Sequence, residues 1–135
     1  MGTLVTNQDI DQNVDVDNTL LPNVRTTTAS GSTVDRSGYT RAMFLAHVGT
    51  VTDGTFTFDP EHSDDGSTWS NIDSADLSGS FTAATSSADD VVQQVGYLGD
   101  KRYLRCNLTV SGSPSTGGAI GVVVVKAGAR RLPAT

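Results

Sequence analysis

The sequence predicts an all-β chain: one β-sandwich or jelly roll of about seven to nine short antiparallel strands, preceded by an extended N-terminal arm. Composition is the first reason. Ser, Thr and Gly supply 46 of the 135 residues, while Glu61 is the only glutamate and Lys101 and Lys126 the only lysines. Strong helix formers are therefore scarce, and the abundant Val and Thr suit a pleated sheet. The second reason is alternation of apolar and polar residues with period two, with no helical spacing held over three turns. The third is turn chemistry between the alternating runs, such as Asp53-Gly54, Asp65-Gly66 and Gly99-Asp100. The length fits one domain with one core.

Residues 1–31 are polar and only sparsely apolar. They read as an extended arm, with residues 32–135 as the sandwich. Leu4, Val5, Ile10, Leu20 and Leu21 are poor choices for permanent exposure, so they form a candidate interface. The expectation is an arm ordered only by contact with another chain. The alternative is that it supplies the first strands of its own sandwich.

Arg41 to Val48 reads as a strand apolar on both faces, with Ala42, Phe44, Ala46 and Val48 on one and Met43 and Leu45 on the other. Thr55 to His62 follows, with Phe56 and Phe58 alternating against threonines. Asp65-Gly66 then signals a type I′ hairpin. A two-residue loop there sets Trp69 opposite His62, and a four-residue loop sets it opposite Pro60. Either register puts Trp69 on the face of the two phenylalanines.

Residues 73–90 read as a long connection with at most one short strand, anchored by Leu77 and Phe81. Val91 to Leu98 is a strand. Lys101 to Val110 alternates most clearly, with Leu104, Cys106, Leu108 and Val110 inward. Ala119 to Ala127 is the last strand, apolar on both faces. The expected core contains Phe44, Phe56, Phe58, Trp69, Leu104, Cys106 and Leu108.

Charge is split along the chain. Residues 1–100 carry 15 acidic and 3 basic side chains, and residues 101–135 carry 6 basic and none acidic, for a net charge of −6. An acidic chain is a poor partner for phosphate backbones, so no nucleic acid is expected. The plain reading of the split is mutual attraction between the two regions. No apolar run approaches a membrane span, and Met1 to Asp11 has no signal-peptide pattern. The single cysteine excludes an internal disulfide.

No catalytic set is legible. Asp59, Glu61, Asp64 and Asp65 cluster in sequence, but their spacing matches no calcium loop, and acidic hairpin tips are ordinary turn chemistry. His47, His62 and Cys106 make no convincing zinc site. Cys106 falls on an inward face, and His47 reads as a satisfied core or interface residue. The expectation is no enzyme, no metal and no cofactor.

Two segments carry a resemblance. His62-Ser63-Asp64-Asp65-Gly66-Ser67-Thr68-Trp69 and Lys101-Arg102-Tyr103-Leu104-Arg105 resemble hairpin and strand motifs of discoidin-like jelly rolls. The longer succession runs from Asp53-Gly54-Thr55-Phe56-Thr57-Phe58 through these motifs and Asp73 to Gly79. It continues with Val95 to Tyr103 and closes with Gly121 to Arg131. Over about residues 33–133 it resembles small virion structural proteins of tailed bacteriophages, the capsid decoration proteins. That resemblance implies a decoration or cement protein, made in the host cytoplasm and located on the capsid surface. It also implies the major capsid protein as partner and a homo-oligomer, a trimer foremost. The alternatives are a carbohydrate-binding virion module, for which Tyr39, Tyr97 and Tyr103 are the candidate aromatics, and a tail or head–tail joining protein.

Overall fold

The computed structural model describes residues 10–129. A single helical turn, Ile10–Asn13, leads into nine strands. They are β1 (Val14–Arg25), β2 (Val34–Asp35), β3 (Tyr39–Val51), β4 (Thr55–Ser63), β5 (Ser70–Asn71), β6 (Leu77–Ser78), β7 (Val91–Tyr97), β8 (Tyr103–Ser111) and β9 (Gly118–Ala129). A 3₁₀ turn, Ser74–Asp76, precedes β6.

Two antiparallel sheets result, ordered β1-β9-β3-β7-β6 and β2-β8-β4-β5. The pairings are nested. The first strand pairs with the ninth, the second with the eighth, the third with the seventh and the fourth with the fifth. One long hairpin has thus been wrapped so that its two halves close a sandwich, which is the jelly-roll arrangement. The short β6 adds an extra edge beside β7.

Alternation builds the core. Ala42, Phe44, Ala46 and Val48 of β3 face Leu104, Cys106 and Leu108 of β8 and Phe56 and Phe58 of β4, and all are buried. Ile120, Val122 and Val124 of β9 complete the layer. The Cys106 thiol is fully buried, and desolvation pushes its pKa up to about 12. It is an apolar filler rather than a nucleophile.

Two expectations are corrected. The segment 14–25 is not an arm outside the sandwich; it is β1, paired to β9 from Val14↔Ala127 to Arg25↔Gly118. Leu20 sits in the core at 3 % exposure, so it is not available to a neighbouring chain. Thr19 explains part of this placement. Its hydroxyl donates to the Ser32 carbonyl (2.8 Å) and accepts from the Cys106 N–H (3.0 Å), tying β1 to the other sheet. Gly31 donates its N–H to Asn107 Oδ1 (2.8 Å), and a Cβ there would run into the Cys106 carbonyl. The boundary at residue 31 therefore cuts through one packed unit. Leu4 and Val5 lie outside the described residues.

Trp69 is also not in the core. Only Gly66 of the Asp65-Gly66 pair has positive φ (77°), whereas a type I′ turn needs two such residues. Ser63 and Asp65 build a wider loop instead. Ser63 Oγ accepts the Asp65 and Gly66 N–H groups, and Asp65 Oδ1 accepts those of Ser67 and Thr68. Ser70, not Trp69, then pairs with His62. That one-residue slip sends Trp69 to the outer face, where the Arg105 guanidinium lies 4.2 Å from its ring centroid. Phe81 closes the core in its stead, 6.4 Å from Phe44 and 5.0 Å from Phe58 between centroids.

Candidate functional site

Each of the five ion pairs among the described residues joins an acid from the first hundred residues to a base beyond them. Asp15 and Asp17 hold Lys126, Asp35 holds Arg102, Glu61 holds Arg105, and Asp64 holds Lys101. The four described bases beyond residue 100 are thus paired with acids of the earlier region inside one fold. Lys126 is the most buried of these bases, 3.2 Å from Asp15 and 2.6 Å from Asp17, with the Tyr39 ring 4.9 Å away. Burial opposes its charge, but the two carboxylates outweigh burial and hold its pKa above the usual lysine range.

The same pairings disperse the acidic hairpin. Asp59 accepts from Thr109, Glu61 from Arg105 and Asn107, Asp64 from Lys101, and Asp65 from its own turn. Among the described residues no three metal-ligating side chains converge. No helix among them is long and apolar enough to cross a membrane.

The outer face of the five-stranded sheet is different in kind. Register places Val16, Val125 and Met43 in one row across it, and Asn18, Val123, Leu45 and Gln94 in the next. His47 and Val92 sit opposite one another beyond these. Val16 and Val92 are about half exposed, and Met43, Leu45, Val123 and Val125 are partly exposed. At the outward register positions of β1, β9, β3 and β7 there is no carboxylate, although the chain has 15. Tyr39, Arg41 and His47 are the titratable groups at those positions. His47 is exposed rather than a core residue. An exposed, largely apolar sheet face of this sort is a candidate interaction surface.

The candidate interface residues fare unevenly. Ile10 (76 % exposed) lies ahead of β1 and Leu21 (65 %) in its second half, so the two do not form one patch; Leu20 is buried between sheets. The face itself was visible in the two apolar-sided strand patterns, but not the contribution of β1. Of the three candidate aromatics, Tyr97 is buried, whereas Tyr39 and Tyr103 are partly exposed.

A second feature lies at the β4–β5 turn. His62, Asp64, Thr68, Trp69, Ser70 and Lys101 are among the residues lining a cleft of about 190 Å³. His62 is 7 % exposed, and its Nδ1 lies 2.8 Å from the Tyr97 hydroxyl. Desolvation, followed by the Lys101 charge, lowers its pKa. Arg36 braces the neighbouring segment, donating to the carbonyls of Lys101 (2.6 Å) and Gly99 (3.3 Å). The sequence signal for this site was a histidine in phase with Phe56 and Phe58, a polar group on an inward face. No family model matches the chain, and neither does any curated protein or solved structure.

Proposed function

We propose that this chain is a structural protein of a tailed-phage particle: a capsid decoration protein that binds the outside of the major capsid shell as a homotrimer. The observation that carries the reading is the outer face of the five-stranded sheet. It is apolar in the middle, over β9 and β3, is flanked by Val16 and Val92, and carries no carboxylate on an acidic chain. Such a face suits contact between copies, because it is where two molecules of net charge −6 meet with least repulsion. The resemblance of residues 33–133 to decoration proteins supplies the kind of particle. Many weak copies on a symmetric lattice stabilise a shell by mass action and multivalency. The buried thiol of Cys106 and the engagement of His62 with Tyr97 supply no activated nucleophile, which supports a non-catalytic role.

Cryo-electron microscopy of particles containing this chain tests the proposal. Trimeric jelly-roll density on the outer capsid surface is the expected result. Density confined to the tail or the head–tail joint would replace it with the joining role.

A further inference from the structure

We propose that the cleft beside the β4–β5 turn is a binding site for a neutral, hydroxyl-rich ligand of the size of one hexose unit, with Trp69 as its apolar wall and His62 as a buried hydrogen-bonding partner. This does not depend on the virion reading.

The Tyr97 hydroxyl ties the cleft to the chain around it. The Lys101 backbone N–H donates to that oxygen at 3.0 Å, and His62 Nδ1 lies 2.8 Å from it. Nδ1 is thereby engaged, and Nε2 is the ring nitrogen left for a further partner. Nε2 has no partner among the described residues, yet no buried side-chain nitrogen or oxygen there is unsatisfied. Nε2 therefore reaches accessible space, and the cleft is the space that His62 lines. A ring nitrogen on a residue only 7 % exposed is presented to whatever fills that cleft.

The rest of the lining selects the ligand class. Asp64 and Lys101 pair at 2.9 Å, so the cleft offers both acceptors and donors. A metal ion would face the Lys101 ammonium. An anion would face Asp64 and Asp65. A polyol meets neither objection, because each hydroxyl both donates and accepts. Thr68 and Ser70 add hydroxyl partners. The indole gives the apolar C–H face of a sugar ring a flat surface to pack on. It is held from one side by Arg105, which is fixed in turn by Glu61 at 2.7 Å, and Arg105 does not line the cleft. The wall is thus set before a ligand arrives, which lowers the cost of binding.

Trp69 is the only tryptophan, so intrinsic fluorescence reads this cleft alone. The experiment titrates the full chain with glucose, galactose, mannose and N-acetylglucosamine. It follows Trp69 emission and the amide resonances of Thr68 and Lys101 by NMR, with betaine at matched osmolality as control. The expected result is a saturable response to at least one sugar with a Kd of about 1 mM or weaker. Trp69→Ala and Ser70→Ala should each weaken the amide response at least tenfold without changing the fold. Three outcomes overturn the proposal: no sugar gives a saturable response, the amide shifts survive Trp69→Ala, or inorganic phosphate saturates the site and no sugar does.

Discussion

His62 couples the fold to pH. It is buried, bonded through Nδ1 to Tyr97, and its pKa is lowered chiefly by desolvation. A histidine depressed in the folded state takes up protons more readily when unfolded. Its stabilising contribution is whole above the unfolded value of about 6.5 and is lost as pH falls through that value toward the folded one. Asp35 behaves as a carboxylate: hydrogen bonding to Arg102 lowers it to about 2, so its contribution is present above the unfolded value near 3.9 and disappears below it. Urea midpoints measured from pH 7 down to pH 2 should fall in two stages, the first between pH 7 and 5. His62→Gln should flatten the first stage and leave the second. A single stage below pH 4 in the native protein would show that His62 is not buried as described. Truncation should separate the aromatics in the same way. Phe44→Ala, at 0 % exposure, should cost roughly 3–5 kcal/mol. Trp69→Ala, resting on the surface under Arg105, should cost about 1 kcal/mol. Equal losses in chemical denaturation would return Trp69 to the core. The inward set around Phe44 was legible because period-two alternation is strict there. Trp69 was not, because its face depended on a loop length that the Ser63 hydroxyl and Asp65 carboxylate decide.

Elements were legible in proportion to how regularly they alternate. β3 over Ala42 to Val48, β8 over Leu104 to Leu108 and β9 over Val122 to Lys126 alternate with period two, and all three appear close to their expected limits. β1 escaped because its register shifts between Asn18 and Leu20 and again between Leu20 and Asn23, breaking the alternation. Its edge is also guarded by Pro22 and by Asp15 and Asp17, polar and turn-like signals that read as an arm. Since β1 supplies Leu20 and Thr19 to the interior, deletion of residues 1–21 should prevent a stable isolated subunit. The measurement is thermal unfolding by circular dichroism. A truncated chain that unfolds within a few degrees of the full one would restore the arm as a separate fastener. A narrower change tests the link to β9. Asp15→Asn with Asp17→Asn leaves the Lys126 ammonium without a carboxylate in a site where it is 5 % exposed. The expected loss is about 3 kcal/mol, mostly the penalty for an unpaired buried charge. Adding Lys126→Met to the pair should recover much of it.

At the scale of the whole molecule, acidity and apolarity are segregated. The four described bases after residue 100 are engaged in internal ion pairs, while the outer face of the five-stranded sheet carries no carboxylate. Nested pairing is what creates that face. It brings β1 and β9, from opposite ends of the chain, beside β3 and β7, so the outward apolar residues of distant segments become neighbours. Composition and alternation forecast two-sided strands but not which of them would lie side by side, so the patch was legible only in parts. Its arrangement sets how self-association should respond to salt. Two copies with a net charge of −6 repel at long range, and that repulsion is screened over about 10 Å at 0.1 M salt and about 3 Å at 1 M. The contact itself has no carboxylate to lose attraction by screening, and its apolar part does not weaken. Sedimentation velocity should therefore show association rising with sodium chloride, toward a species of three copies. Leu45→Lys and Val125→Lys, each placing a charge in the middle rows of the face, should hold the chain monomeric at every salt concentration while leaving its unfolding cooperative. Association that falls as salt rises would mean that ion pairs make the interface, and would move it away from this sheet to the acidic surface.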